Sequence, residues 1–191
     1  MTHRRIFFKT LLAGAVAAHI PWWMACSRDT LHETGYIFNP QQQKILIRVQ
    51  NFLFPSDDNG PGASEVFADA YLQWVLLDPK MDTEEKDYIL NGLAWVEETA
   101  NEEEGKSFLK LTTNEQSEIL KYIGGENWGE SWFSILINFI LEALLSDPIY
   151  GSNPEKIAWE WLHHNPGFPR PNEEQKYGQF LYYVNTNTQT S

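Results

Sequence analysis

Two arginines, a lone cysteine, a histidine pair and two small groups of acids are the residues of this 191-residue chain whose types and spacing could do chemistry. Arg4 and Arg5 stand ahead of Ile6-Phe7-Phe8-Lys9 and of an apolar stretch from Thr10 to Ile20. A cationic start, a short apolar run and an acid-free flank make an export signal, not part of a fold. Arg4, Arg5, Phe7 and Lys9 together resemble the twin-arginine type, which carries folded cargo. An ordinary secretory leader that happens to carry two arginines is the alternative. The run is too short to cross a bilayer, for which about 20 residues are needed.

Cys26 is the only cysteine. An internal disulfide, a four-cysteine zinc or iron-sulfur site and a Cys-x-x-Cys-His haem attachment are therefore excluded. It follows Trp23-Met24-Ala25 and precedes Ser27, where a lipoprotein signal places its lipidated cysteine. Trp23 departs from the leucine usual there, yet it also makes Ala25 a poor site for ordinary signal peptidase. Lipid attachment at Cys26 and an incidental leader cysteine both stay open.

His163 and His164 are adjacent, so on a helix their side chains point about 100° apart and cannot converge on one metal as an i, i+4 pair would. Capping of a helix end or contact with a partner suits them better. Asp57 and Asp58 lie in a loop flanked by prolines but lack the spacing and the distal glutamate of a calcium loop. They read as turn formers and a cap for the next helix. Glu97, Glu98, Glu102, Glu103 and Glu104 read as a solvated face, because clustered acids repel unless a cation holds them. No Gly-x-Gly-x-x-Gly follows a strand, and neither a Walker loop nor a Gly-x-Ser-x-Gly elbow is present. The sequence therefore predicts no catalytic residue, no metal site and no cofactor held by this chain.

The charge balance narrows the partners. Twenty-six acids against 14 bases give a net charge of −12, which repels phosphate backbones and anionic lipid and argues against nucleic acid. Cleavage before Cys26 would remove three cations (Arg4, Arg5, Lys9) and no acid, taking the charge to −15.

These residues need elements to position them. The chain divides into a signal segment over 1–25, a tether over 26–38, a helical domain over 39–164 and an extended tail over 165–191. With 42% apolar and 14% aromatic residues there is material for one core. Asn39-Pro40 supplies a cap and a first-turn proline for a helix bearing Ile45, Leu46, Val49, Phe52 and Leu53. After the turn-rich loop from Ser56 to Gly62, Ser64 can cap a second helix reaching Leu77. Asp82 to Glu85 open a third, whose apolar face is Tyr88, Ile89, Leu93 and Val96. A capping-box pattern, Thr113 to Gln116, starts a fourth, which Gly124-Gly125 break. From Trp132 to Leu145 nearly every position is apolar, but Ser134, Asn138 and Glu142 recur every fourth residue. That is a core helix with a polar stripe toward solvent or a partner, not a membrane span. Asn153-Pro154 caps a short helix carrying Trp159 and Trp161, which lie two apart and cannot both face one core. Of the tryptophans after the leader, Trp74, Trp95, Trp128 and Trp132 are expected in the core. Asn165-Pro166-Gly167-Phe168-Pro169-Arg170-Pro171 is extended. The fold class is all-α, a single pack of five or six helices.

At this resolution the chain resembles the gluconate 2-dehydrogenase subunit 3 family. The resemblance is carried by the twin-arginine leader, Asn39-Pro40-Gln41-Gln42, the loop Phe54 to Ala63, and a closing block. That block runs Asp147-Pro148-Ile149-Tyr150-Gly151-Ser152-Asn153-Pro154, then Trp159 to Trp161, then Asn165 to Pro171. The resemblance implies a non-catalytic accessory subunit in the periplasm. Its partner would be a large FAD-dependent dehydrogenase subunit of the glucose-methanol-choline type, often with a cytochrome c subunit, oxidising sugars, sugar acids or polyols. The FAD sits in that partner, which the small subunit helps to fold and export. Cys26 could add a lipid anchor. Candidate interface residues are Trp159, Trp161, His163, His164, Phe168 and Arg170, with a tail bearing Tyr177, Phe180, Tyr182 and Tyr183 lying across the partner. The competing readings are a free-standing periplasmic lipoprotein acting as a binding module, and an enzyme built on the two histidines and nearby acids.

Overall fold

The computed structural model describes residues 37–173. Arg4, Arg5, Phe7, Lys9 and Cys26, and the tail aromatics Tyr177, Phe180, Tyr182 and Tyr183, lie outside the described residues. Six α-helices make up the body: α1 (Pro40–Leu53), α2 (Ala68–Leu76), α3 (Thr83–Glu104), α4 (Thr113–Gly125), α5 (Asn127–Leu145) and α6 (Ile157–Leu162). Among the described residues there is no strand, only an isolated bridge between Asp57 and Gly60.

Helix starts follow the capping chemistry, with two displacements. Asn39 accepts from the Gln41 and Gln42 amides while Gln42 reaches back to the Asn39 amide, and Pro40 opens α1. Asp82 accepts from the Glu84 and Glu85 amides at the head of α3. The expected box at Thr113 and Gln116 forms one residue earlier, between Thr112 and Glu115. The reason lies inside: Gln116 is buried and spends its amide on the carbonyls of Phe108 (3.0 Å) and Leu111 (3.2 Å). Ser64 does not cap α2. Its amide and hydroxyl donate to Asn51 Oδ1 (3.2 and 2.8 Å), and the chain turns until Phe67, whose left-handed φ of 55° precedes Ala68. That turn is held off helical geometry because Ala63 donates to Phe54 and Val66 accepts from Asn153.

Two apolar clusters result. The larger joins α1, α3, α4, the first half of α5 and the Leu72 and Leu76 side chains of α2 around Leu46, Ile89, Leu93, Leu120 and Trp132. Trp132 is fully buried, donates its indole N–H to the Ile89 carbonyl (3.2 Å) and packs so closely on Gly92 that any Cβ there would overlap the ring. Gly129 does the same service at the α4–α5 corner, against the Ile123 carbonyl. The smaller cluster gathers Ala63, Val66, Ala68 and Tyr71 against Ile140, Ala143, Leu144 and Ala158. Both α2 and α5 contribute to the two clusters, α2 with Leu72 and Leu76 in the larger and Ala68 and Tyr71 in the smaller. The polar stripe of α5, Ser134, Asn138 and Glu142, is exposed as the periodicity predicts. Glu142 accepts from the Tyr71 hydroxyl (3.1 Å), and burial, reinforced by that carboxylate, pushes the Tyr71 phenol well above its ordinary pKa, so it stays a donor.

The acidic run on α3 is exposed at Glu98 and Glu102 to Glu104. Glu97 is the exception, taking the Phe108 amide at 3.1 Å.

Candidate functional site

Three stretches converge past the end of α5: α6, the segment after it, and the Asp57–Gly60 loop. The chain leaves α5 through Asp147, whose carboxylate accepts from the Ile149 amide (3.1 Å) and opens a short 3-10 turn. It then reaches Asn153, which is fully buried with φ 51°. Asn tolerates that left-handed backbone better than most residues. Its amide donates to Val66 O (2.8 Å), its Oδ1 accepts from the Ala158 amide (2.9 Å) and its Nδ2 donates to Ser146 O (3.4 Å). One residue thus ties the α1–α2 turn, the end of α5 and the start of α6. Asn153-Pro154 opens a 3-10 turn over Pro154–Lys156 and not α6 itself, whose N-cap position is Lys156; Asn153 reaches α6 through the Ala158 amide.

On the six residues of α6, the two tryptophans point apart as their spacing requires. Trp159 faces inward and donates its indole N–H to Leu145 O (3.0 Å). Trp161 is 39% exposed, yet its indole N–H donates to the Asn59 carbonyl and its ring covers Gly60 and meets Phe54 edge-on. It clamps the turn-rich loop to α6. In that loop Asp57 accepts from the Asn59 amide (2.7 Å) and side chain, the turn-forming role read from the sequence. Neither Asp57 nor Asp58 caps α2.

His163 and His164 are not on a helix. His163, with φ 51°, ends α6; its amide donates to Glu160 O and that of His164 to Trp159 O, so the backbone satisfies the helix end. The His164 ring sits 5.8 Å from that of Trp159. Beyond them the first part of the tail closes back on the body. Arg170 donates Nε and Nη2 to the two oxygens of Asp147 (2.9 and 3.0 Å), with its guanidinium 5.1 Å from the Trp159 ring centre. Burial opposes ionisation of Asp147. The Arg170 hydrogen bonds, the Ile149 amide and the nearby cations outweigh it, and the carboxyl is held below its ordinary pKa.

These pieces frame a groove of about 470 Å³. Buried Trp159, half-buried Arg170 and the exposed Lys156, His163, His164 and Phe168 line it. Phe168, 89% exposed, is its most solvent-facing large residue. The lining includes no Ser, Thr or Cys. Such a groove offers cations, stacking surfaces and hydrogen bonds to another molecule. Among the described residues, no group of three or more His, Cys, Asp or Glu is placed to hold a metal ion.

Residues 40–167, from the first turn of α1 to Gly167 after α6, match the family described as gluconate 2-dehydrogenase subunit 3. The chain belongs to that family. Within this gluconate 2-dehydrogenase subunit 3 chain, the matched stretch contains all six helices, the clamped loop, Asn153, both tryptophans and both histidines, and it stops just before Phe168 and Arg170. No protein of curated function and no solved structure matches the chain.

Sequence reasoning singled out Trp159, Trp161 and the segment from Asn165 to Pro171 but not Asp147, Asn153 and Asn59 as residues that build this surface. Asp147-Pro148 and Asn153-Pro154 read only as turn and cap signals. Arg170, Val66 and Trp161, the partners that join Asp147, Asn153 and Asn59 to other parts of the chain, lie many positions away, and no local pattern announces them.

Proposed function

We propose that this protein is the non-catalytic small subunit of a flavin-dependent dehydrogenase of the glucose-methanol-choline type. It works outside the cytoplasm on a sugar, sugar acid or polyol. It assists folding, export and assembly of the catalytic subunit, and FAD is held by that partner. Family membership over residues 40–167 carries the reading. Two further features support it. The Arg4-Arg5 leader suits export of a folded pair, and the sequence has no dinucleotide fingerprint of its own.

The surface at the end of α5 is where the partner docks in this reading. Trp161, His163, His164 and Phe168 are exposed there, beside buried Trp159 and half-buried Arg170. Exposed aromatics on a rigid support suit an interface, because they supply contact area with little conformational freedom to lose. A cytochrome c subunit and a lipid anchor at Cys26 complete the proposal at the membrane.

The test is a pull-down of the tagged chain from its native host, read by absorption spectrum and mass spectrometry. A co-eluting protein with the yellow spectrum of bound flavin is expected. A colourless, partner-free domain would overturn the proposal in favour of a free-standing lipoprotein.

A further inference from the structure

Helix α5 carries a second exposed row beside its polar stripe. Ile137, Leu141 and Leu145 follow one another at four-residue spacing and are 38%, 45% and 51% exposed. Residues so spaced form one line along a helix, here about 12 Å long at 1.5 Å per residue. Isolated apolar residues on a surface need no explanation, but three in register form a patch.

The patch is small. A stable dimer needs about 800 Å² from each partner, which three side chains do not provide. It suits a short extended strand instead: five residues at about 3.3 Å each span about 16 Å.

This chain holds such a segment, and its path ends beside the patch. Arg170 is fixed by two hydrogen bonds to Asp147, two residues past Leu145, and lies over Trp159, which itself donates to the Leu145 carbonyl. The sequence continues from Glu174 to Ser191 and contains the apolar run Phe180-Leu181-Tyr182-Tyr183-Val184. From Arg170 to Phe180 an extended chain reaches about 33 Å, more than enough to arrive anywhere on the row. Ser134 and Asn138, exposed alongside, offer partners for a tyrosine hydroxyl on the face of the segment turned toward α5.

We infer that residues 180–184 of this chain seat on the Ile137-Leu141-Leu145 row of α5, so that the tail covers its own domain and leaves the α6 surface to the partner. This revises the expectation that the tail lies across the catalytic subunit, and it does not depend on that subunit's identity.

The experiment places the photoreactive residue p-benzoylphenylalanine at position 141 of the full chain, irradiates it and maps the crosslinked peptides. Crosslinks concentrated within residues 177–184 are expected, falling to background when the chain is ended after Glu173. Crosslinks to Thr10–Ile20, to a second copy, or to a co-purified flavoprotein would each overturn the inference, as would no crosslink at all. The same replacement at position 137 guards against a variant that folds poorly and must give the same map.

Discussion

The two apolar clusters are built by different means. The larger one is regular: five helices present apolar faces at helical spacing, and Trp132 fills the space between α3 and α5. The smaller one has little regular structure of its own beyond α2 and the end of α5. Its shape comes from single hydrogen-bonding residues, each with a specific long-range partner: Asn153 to Val66, Trp161 to Asn59, Arg170 to Asp147. Non-directional burial tolerates change in many small steps, whereas a tie made by one hydrogen-bonded residue is present or lost. The candidate partner surface stands on the second kind of construction.

The largest effect should come from the first region. Trp132→Ala removes a fully buried ring and leaves a cavity, costing about 3–5 kcal/mol, read as a lower urea midpoint by circular dichroism. A loss under about 1 kcal/mol would mean that the larger cluster does not dominate stability. Asn153→Ala should cost about 2–3 kcal/mol, from two lost side-chain hydrogen bonds and a left-handed backbone without the residue that tolerates it. Hydrogen exchange sharpens the comparison here. The amides of α6 should lose protection while those of α3 and α4 keep theirs, and uniform loss would show that the two regions open as one.

Trp161→Ala should be milder for the fold, about 1 kcal/mol, since the ring is partly exposed. Its signature is local: faster proteolytic cleavage between Asp57 and Gly60 and less flavoprotein retained in the pull-down. Unchanged cleavage would remove Trp161 from the role of clamp. The smallest effect belongs to Asp147→Asn, about 0.5–1 kcal/mol near neutral pH. Because the folded protein holds the Asp147 carboxyl below its ordinary value, the stabilisation is present above about pH 4 and is lost as the pH falls through the folded value. The wild type and the variant should therefore converge in stability on acidification below that range, and a gap that persists would show that the pairing does not depend on charge.

Legibility in the sequence follows the same division. Periodicity and capping chemistry reveal α1, α3, α4 and α5 and the exposed polar stripe, because those signals lie within a few residues of what they determine. The displaced box at Thr112 was hidden by Gln116, whose side chain answers to carbonyls in the preceding turn and not to the local pattern. The late start of α2 was hidden for a similar reason, since Asn51 claims Ser64. At the candidate surface, the opposite facing of Trp159 and Trp161 was readable from their spacing. Which of them faces inward was not, because Leu145 and Asn59, their hydrogen-bond partners, are distant in sequence.

The Arg170–Asp147 pair joins residues 23 positions apart and turns the stretch between them into a closed ring. The entropy of such a closure grows only with the logarithm of its length, so that even doubling a loop costs about 0.6 kcal/mol. Insertions and replacements near Asn165 to Phe168 should therefore be cheap for this domain, so long as the two ends of the ring keep their grip. Selection can lengthen, shorten or recolour that rim to follow a changing partner, with the helical body left as it is.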